Sequence, residues 1–121
     1  MSNSEIVRSY LLCWGKQDMI EAKKLLSEDC TFSDPFVGYS IPTEKFLSAT
    51  KAFVKTIRDI EIISILENDL HVGTYYSLTT DQFPKLYFSE WFKIENGKIK
   101  EGHLLYDTHP IRAAGSKDNQ Q

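Results

Sequence analysis

The chain has 121 residues, 41% of them apolar and 12% aromatic, which suits one domain with one hydrophobic core and wide side chains to line a cavity. Lys and Arg number 14 and Asp and Glu 17, a net charge of −3. The charges are scattered without a basic patch, which argues against nucleic acid or an anionic membrane surface as a partner.

A first helix is predicted from Ser4 to Lys16, with Ser2 and Glu5 placed for a capping box and Gly15 near its end. Ile6, Tyr10 and Trp14, flanked by Val7 and Leu11, form an apolar stripe of helical period. Asp18, with Glu21 three residues on, reads as the N-cap of a short helix, Met19 to Leu26, burying Ile20, Ala22, Leu25 and Leu26. Cys30 to Ser33 reads as a strand that runs into Asp34-Pro35-Phe36-Val37-Gly38. Pro35 biases Asp34 away from helical geometry, and Gly38 allows a turn. Thr43 caps a third predicted helix, Glu44 to Thr56, with Phe46, Leu47, Thr50, Phe53 and Val54 on one side.

The apolar period then changes to two. Ile60, Ile62 and Leu66 belong to a strand, Glu67-Asn68-Asp69 is a hairpin signal, and Leu70 to Thr79 follows as the next strand. Leu86 to Ile94 and Lys98 to Tyr106 flank a hairpin turn with the favoured Asn96-Gly97 pair. Helices first and antiparallel strands last is the α+β order. The domain is expected over residues 1–112, with 113–121 a flexible tail.

Alternation puts Phe88, Glu90 and Phe92 on one face of their strand, together with Leu104 and Tyr106 of the next. A slip of one residue would turn Glu90 outward. Tyr87, Ser89, Trp91, His103 and Leu105 fall on the opposite face. Exposed Trp91 and Leu105 are costly there, so a homodimer burying Trp91, His103 and Leu105 is expected. Met1 to Glu5 shows no secretion signal, and no apolar run approaches the roughly 20 residues of a membrane span. Cys13 and Cys30 fit no zinc or redox spacing and read as buried reduced thiols, making the cytoplasm the expected compartment. His71, His103 and His109 lack metal spacing, and there is no Gly-rich phosphate loop, so no metal or cofactor is expected.

The run Tyr10-Leu-Leu-Cys-Trp14, then Asp18, then Leu25-Leu26-Ser-Glu-Asp-Cys-Thr-Phe-Ser-Asp34-Pro35, and the ending Glu90-Trp-Phe-Lys-Ile-Glu-Asn-Gly97-Lys98-Ile99 resemble the nuclear transport factor 2-like superfamily. Within it they look like the SnoaL-like and ketosteroid isomerase-like branch. The resemblance covers about residues 5 to 110. It implies a cone, in which three N-terminal helices pack on a curved, mainly antiparallel sheet around a pocket. It does not imply one activity, because the fold hosts isomerases, cyclases, dehydratases, hydrolases and binding proteins.

The resemblance implies three catalytic candidates. Asp34 matches the general base of the isomerases and has apolar neighbours in Phe32 and Phe36; it equally suits a strand end whose carboxylate bonds the following turn. Tyr10, on the first helix, matches the oxyanion-hole phenol and otherwise reads as a core Tyr. Glu90 matches the protonated acid on a late strand, one methylene longer than the isomerases' Asp. Trp14, Phe32, Phe36, Phe53, Phe88, Phe92, Leu104 and Tyr106 are expected to line the pocket. The function expected is binding of a small apolar ketone-, polyketide- or steroid-like ligand, with cofactor-independent proton transfer. The alternative is a non-catalytic ligand-binding or dimerisation module.

Overall fold

The computed structural model describes residues 1–119. Helix α1, Asn3–Gly15, begins at the expected capping box. The Glu5 amide donates to Ser2 Oγ (3.1 Å), and the Ser2 amide donates to Glu5 Oε1 (3.4 Å). Ile6, Val7, Tyr10 and Leu11 bury the apolar stripe. The residue with left-handed backbone after the helix is Gln17 (φ 59°), whose side-chain amide donates to the Ile57 carbonyl at 2.7 Å. Helix α2, Met19–Lys24, is capped by Asp18, which accepts from the Glu21 amide at 3.2 Å. It stops two residues before the expected end because Leu26 already starts a strand. Ile20, expected in the core, is 77% exposed, whereas Ala22 and Leu26 are buried as expected.

Strand β1, Leu26–Asp34, is longer than the predicted Cys30 to Ser33. Strand β2, Gly38–Pro42, is absent from the sequence reading. It is short, bounded by Gly and Pro, and held at the edge by pairing with β1, Phe32 opposite Ile41. Helix α3, Thr43–Val54, follows. Thr43 does not cap it; its hydroxyl donates to the Cys30 carbonyl at 3.0 Å and ties the helix start to β1. Strands β3 (Ile57–Glu67), β4 (His71–Thr80), β5 (Leu86–Glu95) and β6 (Lys98–Leu105) form the meander read from the alternation.

The six strands make one curved sheet in the order β2-β1-β6-β5-β4-β3. All pairs are antiparallel except β1 with β6, which is parallel. Bulges between Phe32 and Asp34, Ile62 and Ser64, and Lys93 and Ile94 break the ladders, and bulges bend strands. Helix α1 packs on β3, β4 and β6, while α3 packs on β1 and β2. The core lies between these helices and one sheet face.

Residues 113–119, expected as part of a flexible tail, belong instead to a fourth helix, α4 (His109–Asn119). The remaining two positions of that expected tail, 120 and 121, lie outside the described residues. The domain end expected at 112 thus falls inside a helix. Cys30 is buried and Cys13, also expected to be buried, is half-buried; both are free thiols. Among the described residues no helix is long and apolar enough to cross a membrane, and no three acidic, His or Cys side chains gather as metal ligands.

Candidate functional site

The helices and the sheet do not close on each other everywhere. Between them lies a cavity of about 130 Å³. Helix α1 contributes Trp14, and α3 contributes Phe46, Ala49, Thr50 and Phe53. The sheet side is Tyr76 and Leu78 from β4, Phe88 and Glu90 from β5, and Leu104 from β6. Asp34 at the end of β1, with Phe36, Val37, Tyr106 and Ile111 of α4, completes the wall.

Strict alternation aims Glu90 inward. Leu86, Phe88, Glu90, Phe92 and Ile94 are buried, and the alternate residues Tyr87, Ser89 and Trp91 are exposed. Glu90 sits opposite Thr74 of β4 and Leu104 of β6. The Thr74 hydroxyl donates to the Glu90 carbonyl (2.9 Å) and so fixes the backbone behind the acid. The Tyr76 hydroxyl donates to Glu90 Oε1 at 2.9 Å. Burial, above all, raises the Glu90 pKa to about 8; the donation from Tyr76 lowers it, and the negative charge of Asp34 raises it. At neutral pH Glu90 is therefore mainly a neutral carboxylic acid, able to donate a proton. Burial and then the charge of Glu90 raise the Tyr76 pKa well above that of a free phenol.

Asp34 is 3% exposed. Its Oδ1 accepts three hydrogen bonds, from the Phe36 amide (2.7 Å), the Val37 amide (3.1 Å) and the Tyr106 hydroxyl (2.9 Å). The two amides follow from local sequence: after Pro35 the chain turns back over the Asp side chain, the usual geometry of an Asx turn. Tyr106 comes from the far end of the chain and locks the carboxylate to the end of β6. Burial and then the charge of Asp34 raise the Tyr106 pKa, so this phenol keeps its proton. One oxygen of Asp34 is thus held, and no donor among the described residues occupies Oδ2.

Six of the eight pocket residues expected from sequence line the cavity: Trp14, Phe36, Phe53, Phe88, Leu104 and Tyr106. Phe32 and Phe92 do not. Both are fully buried one layer behind the wall, where Phe32 stacks between Tyr10 and Phe46 (ring centroids 6.1 and 4.5 Å). Of the three acid–base candidates, Asp34 and Glu90 meet in the cavity, and Tyr10 does not reach its wall. Tyr10 is enclosed by Phe32, by Phe92 edge-on (5.7 Å) and by Trp14 (6.3 Å), and its hydroxyl has no hydrogen-bond partner among the described residues. The phenol that bonds Glu90 is Tyr76, which the sequence reading missed. The period-two alternation of Val72, Thr74, Tyr76 and Leu78, applied to β4 as it was to β5, points it inward.

The opposite face of the sheet carries Trp91 (47% exposed) and Leu105 (68%), with half-exposed Tyr75 and Tyr87. His71 stacks on Trp91 at 5.2 Å and Tyr75 on Tyr87 at 5.8 Å. Trp91, His103 and Leu105, with Ser33, Asp34 and Tyr39, line a second pocket of about 170 Å³.

No family model and no curated protein matches this sequence. Solved structures do match. A protein from Kribbella flavida superposes with a TM-score of 0.87 at 15% identity, covering 98% of this chain and 97% of the other. An NTF2-like protein of unknown function from Cytophaga hutchinsonii gives 0.77 at 18% identity, covering 93% and 96%. A candidate polyketide cyclase from Xanthomonas campestris gives 0.73 at 21% identity, covering 93% and 98%. At these identities the likeness is one of fold, which the predicted cone anticipates.

Proposed function

On the premise of a nuclear transport factor 2-like fold, we propose that this protein binds a small apolar ketone and moves a proton between carbons beside its carbonyl, without a cofactor. One observation carries the reading: a carboxyl group that stays protonated up to about pH 8, Glu90, and a second carboxyl group, Asp34, face the same apolar cavity. A protonated Glu90 can act as the acid while a second carboxyl group at the same cavity serves as the base. Asp34 Oδ2 takes the proton from the carbon next to the carbonyl. The electron pair of the broken C–H bond moves into a C=C bond, and negative charge grows on the carbonyl oxygen. Glu90 donates to that oxygen in an environment where such a bond is strong. Asp34 then returns the proton to the same carbon or to one conjugated with it. Tyr76 orients Glu90, and Tyr106 with the two amides orients Asp34. The candidate polyketide cyclase of the same fold is compatible with a carbonyl-bearing ligand.

The test needs no knowledge of the natural substrate. Simple cyclic ketones in D2O are followed by NMR for exchange of the hydrogens beside the carbonyl. The protein should accelerate exchange, Asp34→Asn should lose about 100-fold or more, and Glu90→Gln a comparable factor. An Asp34→Asn variant as active as the unaltered protein would remove Asp34 as the base.

A second reading is a binding domain without chemistry. The three hydrogen bonds at Asp34 Oδ1 support it, because an Asp that only anchors a turn makes the same contacts. In that case ketones bind, the protein does not accelerate exchange, and Asp34→Asn binds them as well as before. For the outer sheet face we propose pairing with a second copy of the chain through Trp91, His103 and Leu105.

A further inference from the structure

The cavity measures about 130 Å³. An apolar cavity of about 150 Å³ holds one benzene ring, whereas pockets for drug-sized molecules begin at about 300 Å³. The walls that matter here cannot easily retreat. Phe46 is stacked at 4.5 Å on Phe32, which is itself fully buried, and Tyr76 is stacked on Phe88 at 5.4 Å. Phe88 in turn meets Tyr106 at 5.0 Å. These flat rings suit a flat ligand. The remaining side is bounded by Ile111 of α4 and by half-exposed Phe36, over whose ring the Arg112 guanidinium sits at 4.8 Å. Arg112 also donates to the Thr108 hydroxyl (3.1 Å), which fixes the first turn of α4 against this side of the cavity.

We propose that the ligand is a ketone or enone built on a single six-membered ring, lying flat against Phe88 with its oxygen toward Glu90, and that Ile111 is the residue that excludes a second fused ring. The oxygen end is set by the position of Asp34 and Glu90 in the wall; the size limit is set by the volume and by α4. This inference rests on the ketone reading above and narrows it, setting aside fused-ring ligands of steroid size.

The experiment titrates cyclohex-2-enone, a two-ring fused enone, a four-ring steroid enone and the hydrocarbon cyclohexene into the full chain, and into its Asp34→Asn and Ile111→Ala variants, following protein NMR shifts. Cyclohex-2-enone should bind at least about tenfold more tightly than the two-ring enone, the scale on which a pocket discriminates by size, and the steroid should not bind. Asp34→Asn should keep that ratio, because volume does not depend on the base. Ile111→Ala should shift the ratio of the two affinities by about tenfold toward the two-ring enone. Fused-ring enones binding the unaltered protein as tightly as the single ring would overturn the size limit and leave the ketone reading standing. Binding of cyclohexene, with no ketone of any size bound, would overturn the ketone reading and with it the proposed ligand. An unchanged ratio in a folded Ile111→Ala variant would overturn the role of Ile111.

Discussion

Burial is the main reason that Glu90 holds its proton up to about pH 8, with the charge of Asp34 adding to it against the opposing donation from Tyr76. The folded state therefore binds this proton more tightly than the unfolded chain, whose ordinary Glu value is 4.5. The stability contribution is fully present below about pH 4.5 and is lost as pH rises through about 8. Across that window Glu90 should reduce unfolding free energy by up to about 1.4 kcal/mol per pH unit. Glu90→Gln keeps the shape without the charge and should flatten this part of the profile, measured by urea unfolding at a series of pH values. Gly102 makes the acid possible from the other side. A Cβ there would stand 2.7 Å from the Phe32 ring and 3.1 Å from Glu90 Oε2. Phe32 is clamped between Tyr10 and Phe46 and cannot yield. Gly102→Ala should cost about 1–3 kcal/mol in chemical denaturation, the usual range for overpacking.

At the scale of elements, the β5–β6 hairpin shows how far local chemistry reaches. Asn96 (φ 50°) and Gly97 (φ 73°) both take left-handed backbone between the paired residues Glu95 and Lys98. That is the two-residue turn that an Asn-Gly pair favours, and the bulge between Lys93 and Ile94 then shifts the pairing by one residue before Glu90 meets Leu104. Gly97→Ala should cost about 1 kcal/mol in thermal unfolding, from left-handed strain alone, since a Cβ there has no neighbour within 4 Å. Helix α3 is a contrast. Thr43 in front of an apolar run reads as a cap, yet its hydroxyl satisfies the buried Cys30 carbonyl instead. A carbonyl that burial would leave unpaired outweighs a cap whose amides can find water. Helix α4 escaped notice because its sequence is small and polar; what locates it is the contact of Ile111 with the cavity and of Arg112 with Phe36.

At the scale of the whole molecule, one curved sheet presents two unlike faces. The inner face lines the cavity, and the outer face leaves Tyr75, Tyr87, Trp91 and Leu105 in water. A contiguous apolar face of this kind is what an interface between copies requires. Leu105→Glu should convert a dimer to monomer in sedimentation equilibrium while the folded spectrum stays intact, since Leu105 is 68% exposed and contributes little to the core. A chain that sediments as a monomer before the substitution would remove the dimer proposal.

The amino-acid sequence by itself determined what depends on neighbours a few residues apart. It specified the Ser2–Glu5 capping box, the Asp18 cap, the Asn96-Gly97 turn and the alternation that carries Phe88, Glu90 and Phe92 to one face. Period and turn geometry are local properties, so they are legible without a fold. It also marked Asp34, because Pro35 and the following turn act within three residues. Only the tertiary structure decided which phenol bonds Glu90, why Phe32 and Phe92 stand behind the wall, that Ile20 faces solvent, and that α4 bounds the cavity. These depend on how helices settle on a bent sheet, over separations such as the 72 residues between Tyr106 and Asp34. A cavity is the small gap left between large packed surfaces, and a shift of one side chain moves a residue from wall to core. Tyr10 and Tyr76 show this directly. Both are buried aromatics facing the same interior, yet Tyr10 on α1 stays among Phe32, Phe92 and Trp14 while Tyr76 reaches the wall beside Glu90.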